Sequence, residues 1–539
     1  MRKWVGLAFG VCLILSAANA EGPWHITKDH WSARDEDGFA RFVAAIGASG
    51  CSSSQSCLRD PANPFRASDE KFLDIDTDCA KWPYLMRAYY AWKNGLPFSY
   101  EDGFAGSGDE KHNTTGNRPT SRHDFIDRGD GINGPRAVRE VIDTVSSATY
   151  RSDVTQDHGV PSDFYAPAIR PGSIRPGTVI YDTNAHVGIV YKIDGDGRIY
   201  YMDAHPDFTI TRSVYGAQFG QSPARLGGGL KNWRPQQLKG AHKDEAGHLL
   251  GGHIVLADND QIEDFSLVQY VGTEPNPKQD VKKARYVIDG EEMGLYAYVR
   301  TAMSGGKTSY NPLHELRIAM KDLCRNLKDR ANTVNLAISE NIQNEPHPGH
   351  LPENIFDAGG DWEKYATPAR DARLREGFAE FYSHMAAMID LWVKRDPRIV
   401  YDGTDLRADL LAAYDAQANA CDLTYLNTAK RPAPMTLADV APRVYAMSYD
   451  PYDCIELRWG AQGVERDSCT QSEKKLRWYS AQQRFRQMPG RDFFAGYDLE
   501  DLERKAAKPM KPPPPVDVRA LIENMPYQVP LEPMRPVGR

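Results

Sequence analysis

The sequence has no long hydrophobic run beyond its first residues. After Leu15, no stretch approaches the roughly 18 uninterrupted apolar residues that a membrane-spanning helix needs. The chain also lacks an excess of basic charge, because 65 Lys and Arg stand against 73 Asp and Glu, a net charge of −8. This balance argues against nucleic acid as a partner. No internal repeat of fixed period is present.

Cysteine is scarce, with 8 in 539 residues, and the first of them lies in an N-terminal segment typical of a signal peptide. Two basic residues precede an apolar run that is too short to span a bilayer, and small residues follow up to Ala20. These are the n-region, the h-region and the Ala-x-Ala cleavage site of a secretory signal. We therefore expect cleavage after Ala20 and an exported mature chain, periplasmic or secreted, with no membrane span.

Seven cysteines remain after that cleavage, and an odd number leaves one thiol over in an oxidising compartment. Six cysteines permit 15 arrangements. The pairing that short spacings favour is Cys51–Cys57 and Cys454–Cys469, after which Cys324–Cys421 would tie two helices together. On this pairing Cys79 is the free thiol. Because a free thiol in such a compartment is exposed to oxidative damage, its presence indicates a role.

The stretch 178–207 predicts two strands joined by the tight Asp-Gly turn 194–197. Asp-Gly between alternating apolar runs is a strong hairpin signal. In the register that this turn predicts, His186 faces His205, and Asp203 is a diagonal neighbour on the same face. Two imidazoles and a carboxylate on one face form a potential acid–base cluster.

Cys79 stands just before a helix that the apolar spacing predicts over 82–94. A helix N-terminus carries positive potential, which lowers the pKa of a thiol and favours the thiolate. A nearby histidine takes the thiol proton, and a third polar group holds the imidazole in position. Cys79, then His186, then His205 or Asp203 supply these three parts in that order.

These motifs resemble those of the NlpC-type papain-like cell-wall peptidases, over about residues 70–215. The matching pieces are Asp78-Cys79 before a helix, Pro-Gly at 176–177 ahead of a strand, and His-Val-Gly-Ile at 186–189. The resemblance implies a papain-like domain in which Cys79 attacks a peptide bond, His186 is the base, and His205 or Asp203 orients it. It also implies peptidoglycan stem peptides, or another peptide, as the substrate.

Two other interpretations remain open. Some of the same residues resemble a transglutaminase-like core, in which Asp203, 17 residues past His186, would be the third catalytic residue of an acyl transferase or protease. The other interpretation is a non-enzymatic binding or assembly protein of the cell envelope, in which the thiol is structural.

The chain as a whole predicts an α+β fold in several parts. A papain-like domain spans 21–240 and contains an inserted polar, Gly-rich loop at 99–135. A mixed connecting region follows at 241–310, with strand-like alternation at 248–272. Long amphipathic segments at 312–342, 369–395, 404–420 and 472–488 predict a helical domain over 311–507. The Pro-rich tail 508–539 reads as extended.

The remaining motifs predict no cofactor and no metal site. The stretch 304–308 is close to a phosphate-binding loop, but Thr301 stands where that loop needs its first glycine. The carboxylates of Asp258, Asp260 and Glu263 lack the spacing and the bidentate Glu of a calcium loop. A solvated acidic turn accounts for them.

Overall fold

The computed structural model describes residues 23–526 apart from 70–72, 110–113, 156–158, 275–280, 354, 356–359, 366–367 and 489–493. The predicted signal peptide and the end of the tail lie outside these residues. The protein is α+β, with about 41% helix, about 19% strand and small antiparallel sheets.

The elements of the first 256 residues surround one six-stranded sheet. The helices are α1 (Ala33–Ser49), α2 (Ser54–Arg59), α3 (Lys81–Asn94), α4 (Gly134–Thr144) and α5 (Ser147–Tyr150). The strands are β1 (Phe98–Ala105), β2 (Arg118–Phe125), β3 (Phe164–Tyr165), β4 (Val179–Asp182), β5 (His186–Ile193), β6 (Ile199–Ala204), β7 (Ile210–Val214), β8 (Gly229–Trp233), β9 (Gln236–Lys239), β10 (His242–Lys243), β11 (Leu249–Leu250) and β12 (His253–Leu256).

The central sheet has the strand order β3-β8-β4-β5-β6-β7, and every neighbouring pair is antiparallel. Side chains alternate between its two faces, as strand geometry requires. Val187 and Ile189 of β5 belong to the apolar cluster that contains α1 and α3, whereas Val190 belongs to a second cluster on the other face. Both faces of the sheet are therefore covered.

Helix α3 confirms the predicted helix over 82–94. It ends at Gly95, which adopts a left-handed conformation with φ 60° and donates its N–H to carbonyls of the last turn. Glycine pays no steric penalty there, which is why helices commonly end on it. The sequence pattern predicts one apolar face, but the structure buries twelve of the fourteen helix residues because the surrounding elements pack against all its sides.

The prediction of a loop over 99–135 is wrong for the first two-thirds of that stretch, because strands β1 and β2 form an antiparallel hairpin there. Phe98 pairs with Phe125, and their rings stack with centroids 6.3 Å apart. Tyr100 stacks on Phe125 at 5.8 Å. These buried aromatic rings hold the base of the hairpin, while its far end is polar and exposed, which gives the sequence its loop-like composition.

The second half of the chain is mainly helical. Its helices are α6 (Val268–Val271), α7 (Leu295–Met303), α8 (Pro312–Ser339), α9 (Asp361–Lys364), α10 (Pro368–Val393), α11 (Leu406–Ala420), α12 (Leu437–Val440), α13 (Ile455–Arg458), α14 (Glu473–Ala481), α15 (Gln483–Gln487), α16 (Leu499–Ala506) and α17 (Val518–Glu523). Its strands form two hairpins, β13 (Tyr286–Ile288) with β14 (Glu291–Met293) and β15 (Asp422–Leu426) with β16 (Pro432–Thr436).

The long helices predicted from amphipathic spacing are confirmed as α8, α10 and α11. A fourth, predicted over 472–488, is divided at Gln482 into α14 and α15. The strand-like stretch 248–272 is only partly extended, because it ends in helix α6. Helix α7 packs on the central sheet, on the face opposite to α3.

The predicted disulfide pairing is confirmed in all three bridges, and Cys79 is the free cysteine of the described residues. Two bridges are local, and the third joins α8 to the end of α11 across 97 residues. The pairs are Cys51–Cys57, Cys454–Cys469 and Cys324–Cys421. Disulfides are compatible with an oxidising compartment.

Gly47 marks the closest approach of α1 to the sheet. A Cβ added there would lie 2.2 Å from Cγ of Tyr191 on β5. We expect Gly47→Ala to lower the free energy of unfolding by about 1–3 kcal/mol through overpacking, although alanine is the better helix former by about 1 kcal/mol. Urea unfolding measures the change, with the exposed Asp37→Ala of the same helix as a control. A more stable Gly47→Ala would contradict this packing.

Candidate functional site

Cys79 lies two residues before α3, half-buried against the start of β5. Its Sγ donates a hydrogen bond to the carbonyl of Ala185 at 3.7 Å, and the backbone N–H of Val187 hydrogen-bonds to the thiol. The thiol therefore contacts the main chain on both sides of His186. Ala185 holds a left-handed conformation with φ 64°, which is uncommon for a residue with a side chain.

His186 is the first residue of β5, and its side chain is buried beside Asp203. Nε2 of the imidazole lies 2.6 Å from a carboxylate oxygen of Asp203. Because an ionised carboxylate only accepts hydrogen bonds, the proton of the neutral imidazole is on Nε2, and Nδ1 carries the lone pair. The aspartate thus fixes the tautomer that a base at Nδ1 requires.

A threonine and the second histidine complete the network around Asp203. The hydroxyl of Thr211 donates to Oδ1 of Asp203 at 2.5 Å, and Nε2 of His205 lies 2.8 Å from the same hydroxyl. His205 is 3.5 Å from the other oxygen of Asp203, and its ring stacks on His186 with centroids 5.7 Å apart. The sequence left His205 and Asp203 as equal candidates for the group that orients His186. The structure brings both to it, and Asp203 makes the hydrogen bond.

The hairpin register keeps both candidates beside His186. At the turn Ile193 pairs with Ile199, one residue away from the predicted partner Arg198. A bulge between Val190 and Lys192 absorbs the extra residue, and the predicted register returns from Val190 onward. Continued beyond the pair Ile189–Met202, this register sets His186 level with His205, and Asp203 is the diagonal neighbour whose carboxylate reaches Nε2.

The thiol and the imidazole lie on opposite sides of β5. Cys79 packs with α3 and the cluster that contains Val187, while the His186 ring stacks on Phe219 of the opposite cluster, with centroids 6.0 Å apart. Within the described residues, the hydrogen bonds of Cys79 and His186 do not join the two side chains. The structure brings the predicted nucleophile next to the backbone of the predicted base, not into contact with its ring.

Electrostatics favour the neutral forms of the Cys79 thiol and the His186 imidazole. Burial raises the pKa of the Cys79 thiol, and the charges of Asp78 and Asp203 raise it further. Burial and the charge of Arg373 lower the pKa of His186 to about 4, against the opposing pull of Asp203. Burial opposes ionisation of Asp203, but the charges and hydrogen bonds of both histidines hold its pKa well below the usual range. Around neutral pH the site therefore contains a thiol, a neutral imidazole and a carboxylate.

The expected lowering of the thiol pKa by the helix N-terminus is wrong. The carboxylate of Asp78 accepts the backbone N–H groups of Ala80 and Lys81, each at 3.1 Å. A negative charge thus stands where the sequence predicts positive potential, and it raises the pKa of Cys79. The same two N–H groups are occupied, so an oxyanion site made from them needs the Asp78 side chain to move.

Sequence reasoning missed several residues of the site. Thr211 lies on β7, directly opposite Asp203, and the alternating stretch after residue 209 was a signal that could have revealed a third strand. Arg373 comes from α10 and Phe219 from an irregular segment. No local pattern points to either residue, because only the tertiary fold brings them to the hairpin.

No family model, no curated protein and no solved structure matches the chain. Within the described part of the chain, no helix combines the length and apolarity that crossing a membrane requires. The group with metal-ligand spacing among those residues is Cys454, Glu456 and Cys469. Its two cysteines form a disulfide, so it supports no metal site.

Proposed function

We propose that the protein is a thiol-dependent hydrolase of amide bonds, with Cys79 as nucleophile, His186 as base and Asp203 as orienting group. The observation that carries the proposal is the 2.6 Å hydrogen bond between His186 and Asp203, beside the free thiol of Cys79. Peptidoglycan stem peptides are the proposed substrate, on the resemblance to NlpC-type peptidases and the expected export of the chain.

The proposed reaction starts from the neutral pair. Because the thiol and the imidazole ring lie on opposite sides of β5, the Cys79 side chain must first turn past the start of that strand, exchanging its hydrogen bond with the carbonyl of Ala185 for one with Nδ1 of His186. The imidazole takes the proton as Sγ bonds to the substrate carbonyl carbon, and it returns that proton to the leaving amine. Water then attacks the thioester, with His186 again as base, and restores the thiol. Asp203 keeps Nε2–H in place and stabilises the imidazolium while it exists.

A transglutaminase-like acyl transferase is the second candidate, and one observation favours it. The residue that bonds His186 is Asp203, the third residue of that alternative, rather than His205. In this reaction an amine, instead of water, accepts the acyl group from the Cys79 thioester.

Two parallel assays separate the candidates. The protein is incubated with purified peptidoglycan, and separately with a glutamine-containing protein plus a labelled amine. Release of soluble fragments without amine incorporation is the result expected of the peptidase, and the reverse identifies the acyl transferase. If neither reaction exceeds that of a Cys79→Ala control, the thiol has no such activity and both enzymatic proposals fail.

The acid limb of the pH–activity profile is expected near pH 4. His186 accepts a proton only when neutral, and its pKa of about 4 keeps it neutral down to that pH. Activity therefore falls as the pH drops through about 4, rather than through the 6.5 of an ordinary histidine. Initial rates of peptide release between pH 3 and pH 8 measure the limb.

The matched variant for this profile is Arg373→Met. The guanidinium of Arg373 lowers the pKa of His186, so its removal is expected to move the acid limb to higher pH. A wild-type limb near pH 6.5 that Arg373→Met does not move would exclude His186 as the base.

A further inference from the structure

A proline-rich segment, residues 508–515, joins helices α16 and α17. Its sequence is KPMKPPPP, and five of the eight residues are prolines. A proline ring fixes φ near −65°, and it also drives the preceding residue into an extended conformation. Such a run forms a polyproline II helix, with three residues per turn and a rise of about 3.1 Å per residue. The segment belongs to no regular helix or strand of the structure.

Burial along the segment repeats with this period of three. One edge of the polyproline II helix is partly buried at every position and consists of Met510, Pro513 and Val516. Val516 packs on the apolar cluster that contains α8, α10 and α11. The next edge is exposed at every position and consists of Pro509, Pro512 and Pro515. The segment therefore rests on the protein along one edge and presents a row of proline rings to solvent.

Both ends of the segment are attached to the helical half of the chain. Arg484 donates hydrogen bonds to the carbonyls of Lys505 at 3.2 Å and Lys508 at 3.5 Å. At the other end, the hydroxyl of Tyr445 donates to the carbonyl of Pro514 at 2.9 Å. The proline row is thus held in place before any partner arrives, which reduces the conformational entropy that binding costs.

The third edge of the segment carries positive charge. Lys508 and Lys511 are three residues apart and exposed, so their ammonium groups lie on the same side of the proline row. Neither lysine forms an ion pair with another described residue. A molecule that contacts the proline row from this side therefore also meets two positive charges.

We infer that residues 508–515 are a docking segment for a partner protein whose groove is lined by aromatic side chains and bordered by carboxylates. Aromatic grooves bind polyproline II helices by packing against exposed proline rings, as SH3 and WW domains do. Carboxylates at the border of the groove complement the charges of Lys508 and Lys511. The segment contains no residue of the candidate site, so docking goes beyond the proposed reaction and needs no turnover.

Two forms of one SH3 domain, which share the aromatic groove but differ in the charge of its border, test this inference. The acidic form has carboxylates beside the groove, and the basic form has lysines in their place. Each isotope-labelled form is titrated with the full-length protein, and the resonances of the groove report binding. We expect the acidic form to bind at least about tenfold more tightly at low salt. The difference is expected to shrink at about 0.5 M salt, because exposed charges are screened.

Substitutions on two edges of the segment test whether the proline row makes the contact. Pro509→Ala with Pro512→Ala removes two rings of the exposed edge and is expected to weaken binding of the acidic form at least about tenfold. Met510→Ala, on the partly buried edge, is the matched control and is expected to change the affinity less than about twofold. Thermal unfolding checks that both variants are folded.

The lysines are tested by Lys508→Gln with Lys511→Gln, which is expected to abolish the difference between the two forms of the domain. Failure of both forms to bind, equal affinities of the two forms for the wild type, or equal losses from the proline pair and from Met510→Ala would overturn the inference. Cys79→Ala is expected to bind the acidic form like the wild type, so a failed peptidase assay and a failed titration remain distinguishable.

Discussion

Cys79→Ala is expected to abolish amide hydrolysis, lowering kcat/KM by at least about 10³-fold. The substitution removes the only proposed nucleophile and leaves the hydrogen bond between His186 and Asp203 in place. Among the described residues, the half-buried Sγ hydrogen-bonds backbone groups alone, so its loss is expected to change the melting temperature little. Release of soluble peptide from peptidoglycan measures activity, and thermal unfolding checks that the variant is folded.

Companion variants test whether Cys79, His186 and Asp203 act together. His186→Ala is expected to lose as much activity as Cys79→Ala, and the double variant no more than either, because residues that act as one unit are not additive. Asp203→Asn keeps the geometry but disturbs the tautomer of His186. We therefore expect a large loss of activity, but one smaller than the loss caused by removing the nucleophile.

His205 supplies the matched control. It stacks on His186 but hydrogen-bonds Thr211 rather than the base. His205→Gln is therefore expected to retain most of the activity. Wild-type rates in both Cys79→Ala and His186→Ala would refute the mechanism and favour a structural thiol in a binding protein.

The parts of the fold that could be predicted are those fixed by local chemistry. The start of α8 follows from Pro312 in the first helical turn, which Asn311 caps through hydrogen bonds to two backbone N–H groups. The end of α3 follows from Gly95. The disulfide pairing could be predicted because two pairs are close in sequence, which left one arrangement for the rest.

The sequence predicts which residues form the candidate site, but not how they are arranged in space. The hairpin signal brought His186, His205 and Asp203 onto one face, as the structure has them. The choice between the last two depends on which side chain reaches Nε2 of His186, because the register beyond the bulge is the predicted one, and no residue pattern indicates that reach. The sequence also gave no indication that α3, and Cys79 with it, packs on the opposite face, because which face a helix covers depends on the whole sheet.

A cavity of about 620 Å³ and the pKa values could not be predicted, since both arise from contacts between distant segments. The floor of the cavity between the sheet and the helices lies on β6 and β7. Its walls lie on α7, α8 and α10, which are more than 80 residues further along the chain. Arg373, which lowers the pKa of His186, lies on helix α10, which begins at Pro368. The hairpin 98–125 was missed for the opposite reason, because its polar, glycine-containing tip outweighed the few aromatic residues that anchor it.

Of the three disulfides in the described part of the chain, Cys324–Cys421 is expected to cause the largest loss of stability when it is removed, about 4–5 kcal/mol. The bridge closes a segment of 97 residues between α8 and the end of α11, and a cross-link over a long segment removes the most entropy from the unfolded chain. Cys421 is 1% exposed, so the native state also loses packing around it.

The two local bridges are matched controls for this prediction. Cys454–Cys469 spans 15 residues, for an expected loss of about 3 kcal/mol, and Cys51–Cys57 spans 6, for about 2 kcal/mol. Each pair is replaced by two alanines, and urea unfolding without reductant gives the free energy of unfolding. Equal losses for the three pairs, or the smallest loss for Cys324–Cys421, would show that chain entropy does not set the contribution of these bridges.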